Sequence, residues 1–208
     1  MKIQAIPVGA FDVNCWILST PARHAIVFDP GTDAPKIAAY LQKENLAVKG
    51  YLITHGHMDH ISALAPLCTH YPAPIRMHPR DAAWAFSPAN QMLPYYPAPQ
   101  APPAESLHAD LVESTGNTIG ELSYDVIETP GHSPGCVCIH FPELGVIFTG
   151  DTIFAGSAGR TDFPGGSAAD QKRSLQRLRD LPPKTIIYPG HGPSTTLEIE
   201  RHSNPFLQ

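Results

Sequence analysis

A mixed α/β fold is predicted by three features of the chain: short apolar runs of strand length, helical spacing between several of them, and polar residues set directly after the runs. Residues 2–6, 13–18 and 25–28 read as strands, the last stopped by the turn signal Asp29-Pro30-Gly31. The spacing of Ile37, Tyr40 and Leu41 predicts a helix over residues 35–44, with Asp33 placed to cap it and Pro35 in its first turn. Residues 48–54 form a buried strand that runs into His55. A helix over 61–69, a short strand at 75–78 and a helix over 80–86 follow. Residues 87–104 hold six prolines in eighteen positions and read either as a disordered excursion or as a lid, with Tyr95 and Tyr96 as its candidate contacts. Strands are expected at 124–129, 136–141 and 146–149, the first and third running on to His132 and Asp151. Ser167 with Asp170 resembles a capping box opening a helix to about residue 180, and residues 185–188 form a last strand delivering His191. With no internal repeat and no Gly/Ser linker, residues 1–208 are expected to form one domain.

Composition narrows the function classes. Charged residues make up only 16% of the 208, and the net charge is −5, which argues against a nucleic-acid partner. No stretch has the apolar length of a membrane span, and the amino terminus lacks a signal-peptide pattern. Cys15, Cys68, Cys136 and Cys138 form no C-x-x-C and read as buried reduced thiols, so a cytoplasmic setting is expected. The 11 histidines, against 14 Lys and Arg together, direct attention to metal-ligand spacing.

The segment Thr54-His55-Gly56-His57-Met58-Asp59-His60 packs three imidazoles and a carboxylate into six residues, nitrogen and oxygen donors suited to borderline divalent metals. One tetrahedral ion cannot easily take four donors so close along a backbone. The loop therefore suits halves of two sites, with His55 and His57 facing one way and Asp59 and His60 the other. Further donors come in a repeated context, each after an apolar strand and a glycine: His132 in Pro130-Gly131-His132, Asp151 in Gly150-Asp151-Thr152, and His191 in Pro189-Gly190-His191. The other six histidines read as structural.

The order H-x-H-x-D-H, Gly-His, Gly-Asp, Gly-His resembles the metallo-β-lactamase superfamily, and within it the small glyoxalase II-like hydrolases. Asn14-Cys15-Trp16, Asp29-Pro30-Gly31, the run 129–135, Gly150 to Phe154, Gly159-Arg160-Thr161-Asp162-Phe163, Pro189 to Pro193 and Asn204-Pro205-Phe206-Leu207 support the resemblance. It implies a four-layer αββα sandwich. It also implies two divalent metal ions, zinc first with iron or manganese as alternatives: His55, His57 and His132 on one, Asp59, His60 and His191 on the other, Asp151 bridging. Two such cations bring four positive charges, and Asp59, Asp151 and a shared hydroxide remove three, so the site stays positive for a developing anion. The resemblance thus implies attack by a metal-bridging hydroxide on the carbonyl of a small-molecule thioester of the S-D-lactoylglutathione type, with Asp59 as catalytic residue orienting the nucleophile.

Long-form glyoxalase II enzymes carry a carboxyl-terminal helical segment for glutathione, for which no room is expected here. Arg160 is the candidate for a substrate carboxylate, against an internal pair with Asp162; Tyr95 and Tyr96 are candidate covers. The nearest rival is an iron-dependent persulfide dioxygenase on the same fold, which shares a Gly-Arg-Thr-Asp-Phe motif and would use His55, His132 and Asp151. A β-lactamase, a nuclease and a non-catalytic metal-binding regulator are weaker readings.

Overall fold

Runs such as Val13-Asn14-Cys15-Trp16-Ile17-Leu18, rich in β-branched and aromatic side chains, fit a strand covered on both faces, and every residue of that strand is buried. The computed structural model describes residues 1–208, whose backbone groups into two units, Met1–Asp110 and Leu111–Gln208.

The first unit holds one six-stranded sheet, with β1 (Lys2–Val8), β2 (Val13–Ser19), β3 (His24–Phe28), β4 (Ala47–Leu52), β5 (Ile75–Arg76) and β6 (Leu107–His108) in that order. The first three strands pair antiparallel and the rest parallel, with Ile17 opposite Val27 and Val27 opposite Tyr51. Helices α1 (Ala34–Lys43), α2 (Met58–Ile61), α3 (Leu64–His70) and α4 (Pro79–Ala82) fill the connections. Ile37 and Leu41 of α1 and Leu64 and Leu67 of α3 share a core with Cys15, Ile17, Val27 and Ile53.

Three local expectations are refined here. Asp33 stands at the N-cap of α1, but its carboxylate accepts from Gly9 N–H at 2.9 Å rather than from the helix. The helix expected over 61–69 is two, because Ala63 N–H donates to Gly31 O at 2.6 Å and draws the chain out of helical bonding. Residues 87–104 are anchored at particular points although most of their side chains are exposed: Met92 and Tyr96 exchange backbone hydrogen bonds, and Asn90 and Tyr96 are buried.

The second unit holds β7 (Ser114–Ile119), β8 (Leu122–Glu128), β9 (Val137–Phe141), β10 (Val146–Gly150), the small hairpin β11 (Ile153–Phe154) and β12 (Ser157–Ala158), α5 (Ala168–Leu178), β13 (Ile186–Pro189), β14 (Thr195–Thr196) and α6 (Leu197–Ser203). Its sheet runs β14-β13-β10-β9-β8-β7. Leu175 and Leu178 of α5 and Leu197 of α6 pack with Cys138, Ile147 and Ile187. The expected cap is present: Ser167 Oγ accepts from Asp170 N–H at 3.2 Å. All four cysteines are buried and free, and burial raises the Cys138 thiol to about 11. No helix is long and apolar enough to cross a membrane. Two sheets with their own helices give the mixed α/β class expected from the sequence.

Candidate functional site

Parallel pairing of β3 and β4 ends both strands at one sheet edge, where β3 delivers Asp29 and β4 leads on to Thr54 and His55. Asp29 accepts from Thr54 N–H at 2.8 Å through Oδ1 and from the Thr54 hydroxyl at 2.6 Å through Oδ2. Because the only hydroxyl hydrogen of Thr54 goes to Asp29, its oxygen accepts from His55 Nδ1, 3.1 Å away. The same Asp29 Oδ2 lies 3.2 Å from Nδ1 of His60. Both imidazoles are thus held with the proton on Nδ1 and the electron pair on Nε2, the usual state of a metal-ligating histidine backed by a second oxygen.

Asp29, His55 and His60 are all buried, and each offers a ligand atom within 4.8 Å of the others. The ring of His57 stands 4.9 Å from that of His55 at 87°, and 5.4 Å from Trp84. Asp59 and His60 lie in α2, with Asp59 Oδ2 3.8 Å from His60 Nε2. The first unit therefore gathers His55, His57, Asp59 and His60, with the His55 ring closer to that of His60, at 4.1 Å, than to that of His57. It adds Asp29, which sequence reasoning read only as a turn.

In the second unit β8, β10 and β13 run in one direction, since β9 is antiparallel to both β8 and β10 while β13 is parallel to β10. Their ends therefore share an edge, and His132, Asp151 and His191 meet there. Asp151 Oδ2 lies 3.5 Å from His132 Nε2 and 3.5 Å from His191 Nε2. His132 Nδ1 is 2.8 Å from the carbonyl oxygen of Arg160, which can only accept, so the proton again sits on Nδ1. Helix α5 secures both loops: Ser174 Oγ donates to Pro130 O and Gln171 Nε2 to Thr152 O, each at 2.7 Å.

The β11–β12 hairpin between Asp151 and Arg160 is fastened by α6. Glu200 Oε2 accepts from Gly156 N–H at 2.8 Å, and Asn204 Nδ2 donates to Ser157 O at 2.9 Å. Beyond the hairpin, a β-carbon on Gly159 would overlap the carbonyl oxygen of Asp151 and lie 3.3 Å from His132 Cβ, so only glycine fits there.

The three candidate substrate residues differ in character. Arg160 is paired with Asp162 through two hydrogen bonds of 2.6 Å, the internal pair weighed from the sequence. Its guanidinium also lies over Phe163, 4.3 Å from the ring centroid, and holds the Asp162 carboxyl at about 2. Both partners are exposed. Tyr95 is exposed, whereas Tyr96 is 1% exposed, its ring 5.0 Å from Phe11 and its hydroxyl accepting from Phe11 N–H at 3.3 Å.

Comparison with known proteins matches residues 8–191 to the family described as Metallo-beta-lactamase superfamily. The chain is 33% identical over 214 residues to "Hydroxyacylglutathione hydrolase GloC" of Haemophilus influenzae, covering 100% of this chain and 98% of that protein. The crystal structure of BLEG-1 B3 metallo-beta-lactamase matches with a TM-score of 0.92 at 36% identity, covering 99% of each chain. That of TTHA1623 in a di-iron-bound form matches with a TM-score of 0.85 at 34% identity, over 98% of this chain and 100% of that one. The histidine–aspartate sets are consistent with a dinuclear metal centre. The chain belongs to the metallo-β-lactamase superfamily, as a metal-dependent hydrolase with the mixed α/β fold of that family.

Proposed function

We propose that the chain hydrolyses thioesters of small molecules, of the S-D-lactoylglutathione type, in the manner of glyoxalase II. The observation that carries the metal-dependent part is the protonation pattern. His55, His60 and His132 each have Nδ1 against a protein oxygen, at 3.1, 3.2 and 2.8 Å, which leaves the electron pair on Nε2. The likeness to a hydroxyacylglutathione hydrolase along its whole length supports the thioester.

In this reading His55, His57 and His132 would hold one metal and Asp59, His60 and His191 the other, with Asp151 as a donor to both. Divalent cations held there, zinc in the first instance, would supply Lewis acidity that makes water available as a nucleophile near neutral pH. Asp59 orients that water as the catalytic residue. Hydrolysis forms the new acyl C–O bond, breaks the C–S bond and releases a carboxylic acid and a thiol. Arg160, fixed by Asp162 yet exposed, offers donors to a substrate carboxylate, and Tyr95 offers an aromatic surface. Tyr96 is buried and acts by holding Phe11, whose ring in turn meets that of Tyr95.

The test is a panel of thioesters varying thiol and acyl group separately, run with metal quantification. Turnover of a lactoyl thioester that is lost in Asp59→Ala is expected. No turnover with zinc, manganese or iron loaded overturns the reading. Iron in the purified protein with rapid oxygen uptake on glutathione persulfide assigns the dioxygenase instead.

A further inference from the structure

The glycine at the centre of His55-Gly56-His57 is gripped on both sides. Its N–H belongs to the peptide that leaves His55, and it donates to Asp81 Oδ2 at 2.8 Å. Its carbonyl belongs to the peptide that enters His57, and it accepts from Asn90 Nδ2 at 2.9 Å. Two successive peptide planes are therefore anchored, one to each partner. Since peptides are planar, the only soft torsions between the two histidine backbones are those of Gly56, and these anchors fix them.

We propose that Asp81 and Asn90 are positioning residues that set the mutual angle of the His55 and His57 rings and so tune metal affinity at the loop. The inference rests on the reading above that these histidines hold metal. Neither residue is one that the sequence singled out, and they lie 25 and 34 positions beyond Gly56.

The grip is built rather than incidental. Asp81 is 0% and Asn90 6% exposed, so neither makes its bond in competition with bulk water. A buried carboxylate accepting from a backbone amide makes one of the stronger hydrogen bonds, and an unmade bond there would leave a charge uncompensated. Asn90 is itself fixed, because its Nδ2 also donates to Ala85 O at 2.6 Å, and Ala85 N–H donates back to Asp81 O at 2.9 Å. Asp81, Ala85 and Asn90 thus close a ring of bonds around the glycine. The fit is tight: a β-carbon on Gly56 would stand 3.2 Å from the β-carbons of both Ala85 and Asp81. Trp84, on the same turn of chain, meets the His57 ring. The result is a nearly perpendicular pair of rings, at 87° and 4.9 Å, in a loop that lies outside any regular strand. The proline-rich segment gains a role by this route, since its first part carries Asn90 and acts as a strut beneath the metal loop.

The test measures zinc affinity by competition with a chromophoric chelator, the visible spectrum of the cobalt-loaded protein, and thermal stability of the metal-free protein. Asn90→Ala and Asp81→Ala are expected to weaken zinc binding by about 10–100-fold and to shift the cobalt bands. Asp81→Asn keeps an oxygen facing Gly56 N–H and is expected to recover most of the affinity. Asn90→Asp keeps the shape without the donor and is expected to behave like the alanine variant. Should Asp81→Ala fail to fold, the two Asn90 variants decide the matter. Wild-type affinity and an unshifted cobalt spectrum in the Asn90 variants overturn the inference, whatever their melting temperatures, while leaving the metal reading intact. A wild-type protein that takes up no metal overturns that reading and this inference together.

Discussion

Oδ2 of Asp29 lies 3.2 Å from Nδ1 of His60, although 31 residues separate them in the chain. The same carboxylate holds Thr54, and through it His55, so one buried acid sets two imidazoles. Asp29→Ala is expected to destabilise the metal-free protein by about 1–3 kcal/mol for each buried donor left unpaired. Urea unfolding of metal-free protein measures this. A change within error of zero would mean that water replaces the carboxylate at no cost.

Gly159→Ala is expected to push the main chain of Asp151 away from His132, because the added carbon meets the Asp151 carbonyl oxygen rather than a movable side chain. Overpacking of this kind costs about 1–3 kcal/mol. Bound metal per chain should fall with the melting temperature; an unchanged metal content would show that the loop yields without moving the carboxylate.

Glu200 carries three hydrogen bonds, from Thr195 Oγ1 at 2.7 Å and from Gly156 N–H and Asn204 Nδ2 at 2.8 Å each. Glu200→Ala is expected to free the β11–β12 hairpin, seen as faster hydrogen exchange at Gly156, and to cost several kcal/mol at about 1–3 kcal/mol per orphaned donor. Glu200→Gln, which keeps one acceptor oxygen, should be milder.

Burial lowers the pKa of His140 below its ordinary 6.5, and Asp125 opposes this only in part. The unfolded chain therefore binds the proton more readily than the folded one. Stability from this residue is fully present above about 6.5 and is lost as the pH falls from there towards the lower folded value. The denaturation midpoint of His140→Gln is expected to depend less on pH across that window than that of the wild type. Equal slopes would assign the acid sensitivity elsewhere.

Strands β2, β3 and β10 are legible in the sequence because uninterrupted apolar runs, such as Ala25-Ile26-Val27-Phe28, leave no other way to bury themselves. Strand β7, Ser-Thr-Gly-Asn-Thr-Ile, escapes notice because it is a sheet edge with small polar side chains and little burial, held by pairing with β8 alone. Helix α6, Leu-Glu-Ile-Glu-Arg-His-Ser, is short and charged, so its pattern is faint. At the site, the histidines and aspartates betray themselves by chemistry and by their place after a strand. Asp81, Asn90 and Glu200 do not, and Asp29 and Asn204, though they stand in motifs the sequence offers, give no sign there of what they bind. Their work falls largely on main-chain atoms and imidazole nitrogens distant in sequence, and only the three-dimensional pairing reveals it.

The fastening of the β11–β12 hairpin has a temporal side. Glu200 and Asn204 follow their hairpin partners Gly156 and Ser157 by 44 and 47 positions. A ribosome adds about 5–20 residues per second, so the hairpin waits for roughly 2–9 s as nascent chain before its fasteners are made. The loop of His55 to His60 is translated far earlier. The hairpin that follows Asp151 reaches its fastened form only after residue 204 has been added.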